Sequence, residues 1–260
     1  MIRHGRTDGQ ETNTYMQKRL KKFHRDQEAA RNFQITKRDL EIIAVVARYR
    51  FIPTSLLLRL IPGSEQGIRR RLQPLFHAEL VNRLAFSPNE ECIYYLDDPK
   101  ALELLVTHAG IAEEDLDWDT VRYNRERKYA ALSEASAAVD HRRGAFLFLE
   151  HELMISRLRG MLELAAKAAE GKVELASFRQ GPELWNAVDV PKLVYDPERS
   201  AWFEDEESEK LPHRPDAFFT LRFPEEPEGR QYAHFFYEAD RQRTNTKRFT
   251  RKMRAHFHYV

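Results

Sequence analysis

Three carboxylates stand where strand ends would bring them together. Asp216 lies in Arg214-Pro215-Asp216, and Glu238 and Asp240 lie in Tyr237-Glu238-Ala239-Asp240. Glu238 and Asp240 are two apart, so on a strand both side chains point to one face. Asp216, opening a neighbouring strand, brings a third acid to the same point. Converging carboxylates repel one another unless a cation neutralises them, and an oxygen-rich cluster suits Mg2+ or Mn2+. Such an ion, held by Asp216 and Glu238, would activate water and stabilise a phosphoryl transition state. Asp240 completes the acidic set, and Lys247, Arg248 or Lys252 on the following helix would reach the phosphate. The competing reading is that the acids end strands and pair with the nearby Arg214, Arg241 and Arg243.

Other chemistry is poorly represented. His151-Glu152 lacks the second histidine of a zinc-protease helix, and no GxxxxGK[ST] phosphate loop is present. No serine or cysteine has the surroundings of a nucleophile. His256 and His258 read as surface or helix-end residues rather than ligands. Cys92 is the single cysteine, which excludes an internal disulfide or a cysteine zinc cluster.

A second constellation is basic. Ser64 is an N-cap candidate after Pro62-Gly63, and Ile68, Leu72, Leu75, Phe76 and Leu80 then make one apolar stripe. The remaining surface of this helix, Ser64 to Leu80, presents Gln66, Arg69, Arg70, Arg71 and Gln73, with Pro74 kinking it or marking its last turn. Two shorter helices precede it. Thr36, with Asp39 three residues on, caps a helix to about Arg50, and Ser55 to Ile61 forms another after the interruption at Ile52-Pro53-Thr54. Val81 to Phe86 and Cys92 to Leu96 flank the polar turn 87–90 and read as a β-hairpin. Three helices followed by a hairpin is the winged-helix arrangement, with Ser64–Leu80 as the recognition helix and Arg83 on the wing at a phosphate. A purely structural three-helix bundle is the alternative.

The charge distribution favours a nucleic-acid partner. Residues 1–84 hold 17 Lys and Arg against 8 Asp and Glu, whereas the rest hold 25 against 33. Arg241 to Arg254 reverses the sign again, with seven basic residues and no acid. Blocks of one sign are the electrostatic footprint of a nucleic-acid binder, where a merely solvated surface would intermix them. No run of 18 apolar residues spans a membrane, and no hydrophobic stretch near Met1 reads as a secretory signal, so a cytoplasmic location is expected.

Beyond residue 98 the pattern gives a helix from Lys100 to His108, an acidic linker, and one or two long helices flanking Arg143-Gly144. Val173-Leu175-Ser177, Asp216 to Phe223 and Gln231 to Tyr237 read as strands, 182–211 as loop, and Thr244 to Tyr259 as a final helix.

The sequence resembles the replication-relaxation family of plasmids and other mobile elements over roughly residues 35–260. The likeness rests on Thr36-Lys37-Arg38-Asp39, Arg69-Arg70-Arg71-Leu72 with Leu80-Val81, and Tyr94-Tyr95-Leu96. It continues in His151-Glu152-Leu153, Arg214-Pro215-Asp216-Ala217, Phe236-Tyr237-Glu238-Ala239-Asp240-Arg241, and Lys252 before Tyr259. It implies a winged helix-turn-helix followed by a restriction-endonuclease-like α/β domain, a two-domain α+β or α/β chain. The second half is similar in element order to PD-(D/E)xK nucleases. Asp216 would match the first acid, Glu238 the second, and Glu152 the auxiliary acid. Asp240 stands where that pattern has a lysine, which leaves Lys247 or Lys252 to replace it, or a domain that binds without cutting. Val260 follows the last helix directly, where that fold usually adds a strand, so a truncated domain is also expected.

The expected organisation is a basic flexible arm (1–34), a winged helix (35–110), a helical linker (111–145) and a nuclease-like domain (146–260). The expected function is binding of double-stranded DNA in replication, mobilisation or its control on a mobile element. The alternatives are a Mg2+-dependent endonuclease or nickase, and a non-catalytic module of a replication or transfer complex. No cofactor is certain, and Mg2+ belongs only to the nuclease reading. Partners are double-stranded DNA and replication or conjugation proteins. A homodimer is also an expected partner, because a single winged helix usually needs one for useful specificity, although no dimer helix is evident.

Overall fold

The computed structural model describes residues 23–31, 33–85, 89–127, 139–240 and 245–259. Among these no helix is long and apolar enough to cross a membrane. The architecture is mixed α+β with small antiparallel sheets.

Local chemistry sets the first elements. A short helix α1 (Gln27–Arg31) precedes Thr36, which begins α2 (Lys37–Tyr49) through a capping box. The Asp39 carboxylate accepts from the Thr36 backbone N–H at 2.7 Å, and the Thr36 hydroxyl oxygen accepts from the Asp39 N–H. Strand β1 (Phe51–Pro53) leads directly into α3 (Thr54–Leu60). Helix α4 (Glu65–His77) follows, and its N-cap Ser64 accepts from the Gly67 N–H at 3.1 Å. Pro74 sits in the last turns of α4 without breaking it. The chain then turns at Glu79, whose φ is +64°, and the N–H groups of Leu80 and Val81 bond to the Leu75 carbonyl. The helix therefore ends three residues before Leu80.

Strands β2 (Asn82–Leu84) and β3 (Ile93–Tyr95) form the expected hairpin; its turn falls partly at 86–88, outside the described residues. The sheet has a third strand where Ile52-Pro53-Thr54 predicts only a break between helices. β1 pairs antiparallel with β3, giving the order β1-β3-β2, and both the Thr54 N–H and hydroxyl donate to the Cys92 carbonyl. Ile42, Ile43, Val46, Leu57, Ile68, Leu72, Leu75 and Phe76 fill the core beneath these helices.

That core extends in both directions along the chain. Phe23 and Phe33 pack against it, and the Asp26 N–H donates to Nδ1 of buried His77 at 3.1 Å. The described part of the expected flexible arm is therefore docked, while residues 1–22 lie outside the description. Helix α5 (Lys100–Leu104) passes into a π-helical turn, Leu105–Ala109, and closes at Gly110 in the left-handed region. Helix α6 (Trp118–Arg127) places Val121 in the same core, and its Asn124 donates to the Leu96 carbonyl at 2.9 Å. Residues 111–127, expected as part of a linker, thus complete the first unit. The alanine-rich stretch at 129–138 lies outside the described residues.

A single 30-residue helix, α7 (Val139–Ala168), then serves both halves of the chain. Its Leu149 and Leu153 pack on Phe51, Leu84, Ile93 and Tyr95 of the first sheet. Ile155 joins Ala217 and Ala239 of the second half. The second sheet consists of β4 (Glu174–Arg179), β7 (Ala217–Arg222) and β8 (Tyr232–Tyr237), antiparallel and in that order. Between β4 and β7 the chain runs out and back as a ribbon, β5 (Asn186–Asp196) and β6 (Ala201–His213). This replaces the loop expected at 182–211. The ribbon buries only Val190 and Leu211 of its apolar residues and faces solvent on both sides, so it has no apolar/polar alternation to read. Helix α8 (Thr246–Phe257), capped by Asn245, packs against the base of the ribbon through Ala255.

Gly160 lies where α7 meets α3, and a Cβ there would lie 2.5 Å from Leu56 Cδ1. Gly160→Leu is expected to overpack this contact and lower stability by about 1–3 kcal/mol. Chemical denaturation would show the loss, and unchanged stability would mean that α7 does not seat on α3 in this way.

Candidate functional site

Two arrangements concentrate polar and charged groups, one on α4 and one where α7, β7, β8 and α8 meet. On α4, Gln66, Arg69, Arg70 and Gln73 are all exposed, opposite buried Ile68, Leu72, Leu75 and Phe76. Arg69 pairs with Glu65 at 3.8 Å, a solvent-exposed contact that does not hold it in place.

Arg71 is different. Its Nε and Nη2 donate to the two carboxylate oxygens of fully buried Asp39 at 2.8 and 2.6 Å, Nη2 also reaches the Gln34 carbonyl, and the guanidinium covers the Phe33 ring. Burial raises the Asp39 pKa, but hydrogen bonds from Arg71 and Thr36 outweigh it and hold the carboxyl below its ordinary range. Arg71, expected at DNA, instead ties α4 to the start of α2. Arg83 is likewise half-buried, its guanidinium 4.1 Å from the centroid of Phe76.

The second arrangement is built from strand ends. Asp216 immediately precedes β7 and Glu238 immediately follows β8, and the two strands are paired neighbours. Asp216 joins them further, its N–H donating to the Tyr237 carbonyl and its Oδ2 accepting from the Ala239 N–H at 2.7 Å. Its Oδ1 lies 3.1 Å from His151 Nε2, and His151 Nδ1 lies 3.7 Å from Glu152 Oε1. Glu238 is bonded by Lys252 Nζ through one oxygen and by His256 Nε2 through the other at 2.7 Å. His256 Nδ1 is in turn 2.9 Å from His213 Nε2, and the buried His213 ring stacks on Tyr259.

The electrostatics follow from these contacts. Hydrogen bonding to Asp216, then to Glu152, holds the His151 imidazolium up to a pKa of about 9. Asp216 is raised by burial and lowered more by His151, so it lies below the usual carboxylate range. Burial wins at Glu238, whose carboxyl is raised despite Lys252. His213 is driven down to about 4 by burial and by the charge of His256.

Several expectations change here. Glu238 and Asp216 do converge, with Glu152 close by. Asp240 does not share their face as a strand residue, because β8 ends at Tyr237 and Asp240 is exposed. Lys247 is exposed on the outer surface of α8, and Lys252, five residues on, meets Glu238 instead. Among the described residues the neutralising cations are His151 and Lys252; Arg214 lies over Trp185, and Arg241 and Arg243 fall outside the described residues. His256, expected at the surface, is instead half-buried against Glu238, and His213 beside it had no expected role. The available signal was that His256 stands four residues after Lys252, hence on the same helix face.

The donor set does not fit a metal ion. Among the described residues no three His, Cys, Asp or Glu side chains are grouped to hold one, and Asp216 and Glu238 are each turned onto a basic side chain of the protein. The arrangement ties the ends of β7 and β8 to α7 and α8. No family model, curated protein or solved structure matches the chain.

Two predictions follow from the charges. Arg71→Ala leaves Asp39 buried without its partner and is expected to cost about 3 kcal/mol in unfolding free energy, whereas Arg70→Ala is expected to change stability by less than about 0.5 kcal/mol. Equal effects would contradict the separate roles. The histidines shape the pH dependence in metal-free buffer. The stabilisation at His151 is complete below its ordinary value of 6.5 and is lost as pH rises through about 9. The contribution of neutral His213 is complete above 6.5 and is lost as pH falls through about 4. Melting temperature should therefore decline on both sides of about pH 6.5, with His151→Gln flattening the alkaline limb and His213→Gln the acid limb. Unchanged limbs in the two variants would rule out these assignments.

Proposed function

We propose that the protein binds double-stranded DNA, with its first unit acting as a winged helix and α4 as the recognition helix in the major groove. The observation that carries this reading is the division of labour on α4. Arg71 and the apolar stripe fix the helix to its core, and Gln66, Arg69, Arg70 and Gln73 project outward on one rigid surface. Arginine and glutamine are side chains suited to base edges, guanine for the former and adenine for the latter. The order α2-β1-α3-α4-β2-β3, with β1 closing the sheet beside the hairpin, supports the winged-helix assignment. The segregated basic charge of residues 1–84 supports a phosphate partner. The resemblance to replication-relaxation proteins directs this binding to replication, mobilisation or its control on a mobile element.

In the second unit, α7, β4, β7, β8 and α8 succeed one another with the ribbon inserted, an order that supports a nuclease-like scaffold. Lys252 of α8, bonded to Glu238, offers a replacement for the lysine that the nuclease pattern has where this sequence has Asp240. The carboxylates are already neutralised by His151 and Lys252, so this unit is assigned a structural part in a DNA-binding protein rather than hydrolysis.

Gel-shift titrations on duplex DNA test this reading. Wild type should bind with an affinity that falls steeply as salt rises, the logarithmic slope being about −0.9 per phosphate contacted. Arg69→Ala combined with Arg70→Ala should weaken binding by roughly tenfold or more, the scale of a lost base-edge contact. No shift at low salt, or a flat salt dependence, would defeat the DNA reading. Supercoiled plasmid with Mg2+ should remain intact, and nicking that Glu238→Gln abolishes would establish a nuclease instead.

A further inference from the structure

The β5–β6 ribbon carries large apolar side chains at the end farthest from any core. Val194, Tyr195, Trp202 and Phe203 flank its turn, and Trp202 is 64% exposed. Tyr195 opposes Trp202 across the ribbon with ring centroids 5.3 Å apart, and Val194 opposes Phe203. Successive pairs point to opposite faces, so the tip is apolar on both sides. The surrounding ribbon is acidic, with eight Asp and Glu against three Lys and Arg over 186–213. That sign excludes a phosphate backbone as the partner of the tip.

Helix α8 presents the complementary chemistry. Phe249, Met253 and Phe257 recur every four residues and form one stripe, with Phe257 77% exposed. Lys247 and Arg248 supply positive charge beside it, and α8 contains no acid. The other flank of α8 is already occupied by the base of its own ribbon, where Arg251 and Arg254 pair with Glu209. Trp202 lies seven residues beyond Glu209, about 23 Å along a strand at ~3.3 Å per residue. On the way, Glu204 comes within 4.0 Å of His258, just past the end of α8. Near as the two come, Trp202 and Phe257 do not cover one another within the chain, and both stay exposed.

We propose that two copies associate about a two-fold axis, each ribbon tip docking on the Phe249-Met253-Phe257 stripe of the other. The occupant is identified by charge: an acidic arm with an apolar end meets a basic helix with an apolar stripe, and both belong to one sequence. Reciprocity closes the assembly at two copies. Half-exposed large side chains each bring on the order of 100 Å², so two contacts, each one face of a tip on one stripe, bury roughly 1,000 Å², the lower bound for a specific interface. This inference does not depend on DNA binding.

Sedimentation of the full chain over the micromolar range tests it, using two variants with substitutions confined to exposed positions. Tyr195→Ser with Trp202→Ser removes the tip, and Met253→Ser with Phe257→Ser removes the stripe. Wild type is expected to be a dimer, and each variant a monomer with a wild-type melting temperature. Mixing the two variants restores one of the two contacts, so a heterodimer is expected in native mass spectra with one copy isotopically labelled. Monomeric wild type, a variant that dimerises as wild type does, or a mixture that stays monomeric at the top of the concentration range would each overturn the proposal.

Discussion

The last turn of α2 cannot satisfy its own carbonyls, and the way they are satisfied joins the two halves of the chain. Arg159 on α7 donates to the Arg48 carbonyl at 2.7 Å, and Ser156 on α7 donates to the Tyr49 carbonyl at 3.0 Å. Helix ends that would otherwise bind water are thus capped by a helix from elsewhere in the sequence. Arg50 then turns the chain with a φ of +61°, and its guanidinium bonds Asp117 ahead of α6 and the Gln180 carbonyl after β4. Gly181 permits that approach, because a Cβ there would lie 2.8 Å from the Arg50 side chain. Arg159 also lies over the rings of Tyr49 and Phe178, one from each half. Few of these contacts are apolar, yet they fix where α7 runs and hence where both cores meet it.

Once α7 is placed, the charged cluster follows. Leu149 and Leu153 face the first sheet while His151 and Glu152, between them in sequence, face the second half. Asp216 and Glu238 are forced together by the pairing of β7 with β8, and their repulsion has to be relieved. His151 from α7 and Lys252 from α8 relieve it, so each helix is tied to one carboxylate. An oxygen pair that would suit a divalent ion in isolation is thereby used to fasten helices to strands. Among the described residues the outward-facing groups of α4 have no comparable internal partner, which is why ligand binding is proposed there.

Much of the first unit was legible because its elements obey local rules. The Thr36 and Ser64 caps, the apolar stripe of α4 and the paired apolar runs around the turn each act over a few residues. Strand β1 was not legible, since Phe51-Ile52-Pro53 becomes a strand only by meeting β3 more than forty residues later. The ribbon was hidden for the opposite reason: with solvent on both faces, its residues show no periodicity. Convergence of Asp216 and Glu238 was legible from strand order, but their partners were not. Whether an arginine in a basic run points outward or inward depends on a buried acid such as Asp39, and nothing within Arg69-Arg70-Arg71 distinguishes the third from its neighbours.

The central claim is that α4 faces DNA. Its most direct measurement is site-specific photocrosslinking, with the crosslinking residue placed in turn at Gln66 and Gln73 on α4, at Lys167 near the end of α7, and at Trp202 on the ribbon. Crosslinks to duplex DNA from Gln66 and Gln73, and none from Lys167 or Trp202, are predicted. Crosslinks from the ribbon with none from α4 would contradict it.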